Sequence, residues 1–259
     1  MNSQFAADIN DWFNSHVDTI LPDTVRTFPE IESKLEHIKN VISYCRILGK
    51  NLDWSENNIQ IAETIGLLHD VGRFTQFIKY HTIIDADSVN HAKLAFSIVN
   101  KSGILAPLPF PDRTIILEGI RYHNDKKFGN KVHPESLPFI KLIRDADKLD
   151  KLRVAKVAVQ EHLNNSPNLQ LTLFTDGTVN PKALSQLKRC QTVSKKYIRS
   201  ELDFRLLQLS LIFDIQYAVT YRIIAESNIV GQLIAILPDE KEIRKTVNKV
   251  TKFFNEKIS

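Results

Sequence analysis

Ile65-Gly66-Leu67-Leu68-His69-Asp70-Val71-Gly72-Arg73-Phe74 is the stretch on which the reading of this chain turns. Apolar residues at helical spacing, with Ala62 and Ile65 seven and four positions before His69, run into a His-Asp doublet and then a glycine. The spacing predicts a helix over 56–71 that stops at Gly72. It also aims an imidazole along the face that should meet a core. Imidazole and carboxylate together are donors suited to a hydrolytic transition-metal centre.

Outward from the doublet, four more such side chains fall on apolar stripes. His37 shares a face with Val41, Tyr44 and Leu48, and His91 with Ala95 and Ile98. His123 follows Ile116 and Ile120, and Asp147 follows Ile140 and Ile143 and precedes Val154. Residues three, four or seven apart lie on one side of a helix. Taken singly, each histidine reads as a hydrogen-bonded core residue. Asp147 alone reads as part of a solvated face, Arg144-Asp145-Ala146-Asp147-Lys148-Leu149-Asp150. Taken together, a charged Asp and several imidazoles on inward faces need a common partner, and a shared cation is the simplest.

The 259 residues suffice for one large domain or two small ones, and 43% hydrophobic with 25% charged side chains is an ordinary globular balance. A net charge of +4 admits an anionic substrate without requiring nucleic acid. Cys45 and Cys190 form neither a disulfide framework nor a thiolate metal site, so a reduced, cytoplasmic setting is expected. Residues 1–20 carry Asp8, Asp11 and Asp18 and lack the apolar core of a signal peptide. Gln208, Asp214 and Gln216 interrupt the most apolar later stretch, so no membrane span is expected.

Helical periodicity dominates, and the fold class is all-α. Helices are predicted over 4–20, 30–49, 56–71, from an N-cap at Ser88 to before Gly103, 112–123, 138–164, 181–199, 201–227 and 239–257. Residues 165–181, with Asp176-Gly177 as a turn signal, read as a short ribbon or flap. Without a Gly/Ser/Pro-rich linker, a single domain over 1–259 is expected, its C-terminal helices an extension of one core. Lys188, Lys195, Lys196 and Arg199 fall on one side of the 181–199 helix and read as a solvated face rather than a polymer groove.

The order His37, His69-Asp70, Asp147 resembles the HD-domain superfamily of metal-dependent phosphohydrolases over residues 30–155. The family's closing motif, Ala-Asp-Arg/Lys-Leu, matches Ala146-Asp147-Lys148-Leu149 and so points to Asp147 rather than Asp145. His91 and His123 resemble the extra ligands of the dinuclear branch. The Glu-Asp pair of the alarmone hydrolases is missing, which counts against that activity.

The resemblance implies an HD-type helical bundle holding one or two divalent transition metals, Mn, Fe, Co, Ni or Zn. His37, His69, Asp70 and Asp147 would hold the first, and His91 and His123 the second, with Asp70 bridging. It implies hydrolysis of a phosphomonoester or phosphodiester, in a small, nucleotide-like molecule, by a metal-activated hydroxide. Asp70 is then the catalytic carboxylate, and Arg73 and Lys148 are candidate phosphate contacts. His81 is a loop histidine with a lesser claim on the site mouth. A nuclease, a di-iron oxygenase of the HD type and a non-catalytic metal-binding module are the competing readings, with nucleic acid the less favoured partner.

Overall fold

A computed structural model describes residues 3–125, 132–163 and 178–258. Among these the chain is helical, with no strand. They group into two compact units, Met1–Asp147 and Lys148–Ser259, divided within one long helix. Residues 165–177 of the expected flap at 165–181 lie outside the described residues.

The first unit contains α1 (Ser3–Ile20), α2 (Asp23–Arg26), α3 (Pro29–Asn51), α4 (Glu56–Leu68), α5 (Gly72–Tyr80), α6 (His91–Ser102), α7 (Phe110–Tyr122) and the start of α8 (Leu137–Leu163). α3 packs on α4, α4 on α7, and α6 on both α5 and α7, while α1 covers α4 and α5. The stripes read from sequence form the core: Val41, Leu48, Ile65, Ile116, Ile120 and Ile140 are fully buried. Each such side chain contributes about 1.5–3 kcal/mol. Tyr44 and Ile98 are only half-buried, and Val154 is 45% exposed.

Local chemistry sets the helix ends. Ser55 caps α4 by accepting from the Asn58 amide, and Pro29 opens α3 where no amide is needed. Gly103 closes α6 at φ +71°, a left-handed conformation that favours glycine. The N-cap of α6 is Asn90, whose side chain accepts from the Lys93 amide, and not Ser88. The Ser88 hydroxyl donates instead to the Ile84 carbonyl.

Gly72 does not stop a helix. α4 ends at Leu68, the chain turns through His69–Val71, and Gly72 opens α5. A Cβ at Gly72 would lie 2.5 Å from the His91 carbonyl oxygen and 2.7 Å from the Ala95 nitrogen. The glycine therefore serves the close approach of α5 to α6.

The second unit holds the rest of α8 with α9 (Pro181–Lys188), α10 (Glu201–Ser210), α11 (Ala218–Ser227), α12 (Ile229–Ala235) and α13 (Lys241–Ile258). α9 packs on α10 and α13, and α11 on α12 and α13. The expected 181–199 helix ends at Lys188. Cys190 turns left-handed at φ 54°, and the Val193 and Ser194 amides donate to the Ser210 hydroxyl and the Gln186 side chain. Lys195 and Lys196 lie in a separate 3-10 turn, so the continuous basic face does not form. The expected 201–227 helix breaks at a 3-10 turn, Leu211–Asp214, which leads into extended Ile215. No helix among the described residues is long and apolar enough to cross a membrane.

Candidate metal centre

Five elements of the first unit each deliver donors to one buried cluster. α3 carries His37 in mid-helix. α4 runs out at Leu68, so that His69 is its C-cap and Asp70 sits in the turn. His91 is the first residue of α6, His123 caps the end of α7, and Asp147 lies in α8. His37, His69, Asp70, His91 and His123 are all at most 7% exposed, and Asp147 is 9% exposed.

The donor atoms form two groups that share Asp70. His37, His69 and Asp70 make one, and Asp70, His91 and His123 the other, with the ligand atoms of each within 4.8 Å of one another. Asp70 Oδ2 lies 3.8 Å from His37 Nε2 and 3.9 Å from His69 Nε2, while its Oδ1 lies 3.3 Å from His91 Nε2. The carboxylate thus turns one oxygen toward each group. Asp147 joins through His37, with Oδ1 3.2 Å from Nε2. His91 Nε2 and His123 Nε2 are 3.0 Å apart.

The acceptors around the rings assign their tautomers. His69 Nδ1 donates to the Gly66 carbonyl at 2.8 Å, and His123 Nδ1 to the Ile120 carbonyl at 2.8 Å. His91 Nδ1 donates to the Asp85 carboxylate at 2.7 Å. All three rings therefore turn Nε2 lone pairs inward. His69 Nε2 is buried without a hydrogen-bond partner. His91 and His123 face each other with no hydrogen to share. Lone pairs converging with a carboxylate in a buried space are a donor set for a cation, and imidazole-rich sets favour transition metals over an all-oxygen Mg or Ca site. The residues fit a divalent transition metal.

The electrostatics agree. Burial pushes the His69 imidazole down to about 4 and holds His123 well below its ordinary value, so both are neutral near pH 7. Burial alone would raise the Asp70 carboxyl, but Lys34, His69, His91 and Arg73 outweigh it and hold the group well below the usual carboxylate range. Asp70 is ionised.

Arg73 is no surface cation. Its Nε lies 3.5 Å from Asp70 Oδ1 and its Nη2 3.3 Å from His91 Nε2. Its Nη1 donates to Asp85 at 2.7 Å, to the Gln76 side chain and to the Ile83 carbonyl. Lys148 sets its ammonium 3.0 Å from Asp214 within the second unit. His81 is exposed and caps α5 at φ 54°. The run Arg144–Asp150, which read as a solvated face, is buried throughout.

Two contributors escaped sequence reading. Lys34 Nζ lies 3.1 Å from Asp70 Oδ2. Its position three residues before His37 on one helix face was the available signal. Asp85 holds His91, and nothing in Asp85-Ala86-Asp87 distinguishes it from Asp87.

Residues 35–152 match the family model described as the HD domain. Comparison with curated proteins and with solved structures gave no match.

Proposed function

The chain belongs to the HD-domain superfamily through residues 35–152, and from that premise we propose that it is a metal-dependent phosphohydrolase. The substrate is a small phosphorylated molecule of nucleotide size, cleaved at a phosphomonoester or phosphodiester bond. One observation carries the reading: three imidazoles, each with Nδ1 held by an acceptor, turn Nε2 toward an ionised carboxylate in a buried cluster.

When bound, divalent metal supplies Lewis acidity to a phosphoryl oxygen and lowers the pKa of water to near neutrality. His37, His69, Asp70 and Asp147 would hold one ion, and His91, His123 and Asp70 a second. The chain's own part is binding and electrostatics. Asp70 stays ionised and offers an oxygen to each group, so its loss affects both. Lys34 and Arg73 place two cations against Asp70, where they offset the negative charge of an incoming phosphoryl group. Burial of His69 and His123 keeps these two unprotonated as ligands. The low exposure of the cluster limits competing water and strengthens each charge interaction. Among the described residues no serine or cysteine is placed as a nucleophile, and the attacking oxygen comes from water: its bond to phosphorus forms as the ester P–O bond breaks, and its proton leaves with the alkoxide.

Purified protein loaded with Mn, Co or Ni should be screened on nucleotides, small phosphodiesters, single-stranded DNA and RNA. Turnover of a nucleotide-sized phosphoester with weak salt dependence is expected. Activity confined to polymers, with affinity falling steeply in salt through counterion release, would refute the substrate class. Metal uptake without phosphoester turnover would refute the hydrolase reading itself.

A further inference from the structure

His69, His123 and His91 all present Nε2 inward, but the means of holding Nδ1 differ. His69 and His123 sit at the C-terminal ends of α4 and α7, and each donates to the carbonyl three residues back, Gly66 or Ile120. Those acceptors come with the helix, because its last carbonyls have no helical partner. His91 is the first residue of α6. At a helix start the free backbone groups are amides, which cannot accept from an imidazole N–H. Its Nδ1 needs an acceptor from elsewhere.

Asp85 supplies it, from the 3-10 turn Asp85–Asp87 ahead of the helix. His91 Nδ1 lies 2.9 Å from Oδ1 and 2.7 Å from Oδ2. The same carboxylate accepts from Arg73 Nη1 at 2.7 Å, Gln76 Nε2 at 3.1 Å and Asn124 Nδ2 at 3.4 Å. Gln76, fully buried, also donates to the Ser88 hydroxyl and the Val89 carbonyl, which ties the turn to α5. Asp85 is thus gripped from α5 and from the residue after His123 while it grips His91.

We propose that Asp85 is the positioning residue of the second metal group: it fixes His91 with hydrogen on Nδ1 and the lone pair on Nε2, and restrains Arg73 beside that lone pair. Charge matters as well as geometry. The N-terminal end of α6 carries a partial positive charge that disfavours a cation nearby, and the Asp85 carboxylate offsets it. A carboxylate on the far nitrogen also makes a ligating imidazole more basic. His69 and His123 have only neutral carbonyls in that role. The affinity of the second group is therefore tuned by a loop residue outside the donor set, while the ligands private to the first group, His37, His69 and Asp147, are held on α3, at the end of α4 and on α8. This inference rests on the two-group reading of the site.

The test is calorimetric titration of EDTA-stripped protein with Mn or Co, in wild type, Asp85→Asn, Asp85→Ala and Asp85→Glu, with thermal melts to verify folding. The second group, with only His91 and His123 beside the shared Asp70, is expected to be the weaker of the two, and its affinity should fall by about ten- to hundredfold in Asp85→Ala. Asp85→Asn, which keeps an acceptor but loses the charge, should fall less, and Asp85→Glu should recover part of the loss. The tighter affinity should stay within about twofold. A second readout needs no metal. In the stripped protein the low-field Nδ1 proton of His91 should move upfield in Asp85→Asn, while those of His69 and His123 stay fixed. An unchanged weaker affinity in folded Asp85→Ala, an equal fall of both affinities, or an unmoved His91 proton would each overturn the proposal. Uptake of one ion only by the wild type would fail the two-group reading, and the His91 proton would then decide by itself whether Asp85 positions the ring.

Discussion

Replacing Gly72 by Ala puts helix propensity and packing in direct opposition. Propensity favours Ala inside a helix by about 0.5–1 kcal/mol. Packing opposes it, because the new Cβ would sit 2.5 Å from the His91 carbonyl oxygen and 2.7 Å from the Ala95 nitrogen. Both obstacles are backbone and cannot rotate away. Reaching even a close carbon–oxygen contact of about 3.3 Å requires α5 and α6 to part by roughly 0.8 Å. Overpacking of this kind costs about 1–3 kcal/mol, so packing wins and the net loss is about 1–2 kcal/mol. The displaced residue is His91 itself, whose Nε2 lies 3.3 Å from Asp70 and 3.0 Å from His123 Nε2. Metal–ligand distances tolerate about 0.2 Å, so the shift is several times what the second group can absorb. His37 and Asp147, on α3 and α8, are not displaced. Urea unfolding and metal titration of Gly72→Ala should show a modest stability loss with selective weakening of the second affinity. Wild-type stability with both affinities intact would refute the close-approach argument.

Asp70→Ala should remove both metal affinities and all phosphoesterase activity, since its two oxygens face the two groups; any variant that keeps the tighter affinity argues against the bridging role. The metal-free protein should lose stability on acidification, because His69 is held down to about 4 and the unfolded chain takes up its proton first. Its contribution is fully present above about pH 6.5 and lost as pH falls toward 4, a loss of about 2–3 kcal/mol, with His123 acting in the same direction. Urea titrations of stripped protein that show equal stability at pH 7 and 4.5 would contradict neutral buried imidazoles. Burial, with Glu63 nearby, pushes the fully buried Cys45 thiol up, whereas Cys190 is half-buried. A thiol-exchange reagent should therefore find one fast thiol in folded protein and a second on unfolding, and two fast thiols would mean that α3 is not seated on α4.

The four histidines and Asp147 were legible because each lies on an apolar stripe with period near 3.6, whose burial carries the polar residue inward, and Asp70 because it follows His69 directly in the doublet. Ala62 and Ile65 before His69, and Ile116 and Ile120 before His123, are such stripes, and all four are buried. What the sequence did not reveal depended on contacts between distant segments. Gly72 looks like a stop until the backbone of α6 is seen against it. Asn90 and Ser88 are both good caps, and only the bond from Gln76 to the Ser88 hydroxyl shows which one is otherwise engaged. The end of α9 at Lys188 follows from a hydroxyl on Ser210 and an amide on Gln186 capturing backbone donors. The buried charges of Arg144–Asp150 show the same limit. Arg144 donates to the His123 and Asp125 carbonyls, acceptors that lie about twenty residues away in sequence.

The most direct test of the central claim is elemental analysis of anaerobically purified protein, combined with anomalous diffraction at the edge of the metal found. We expect one or two divalent transition-metal ions per chain. The first should lie about 2.0–2.2 Å from donor atoms of His37, His69, Asp70 and Asp147, and a second, where present, against His91 and His123. Protein that takes up no transition metal, or an anomalous peak away from these residues, would contradict the reading of this cluster as a metal centre.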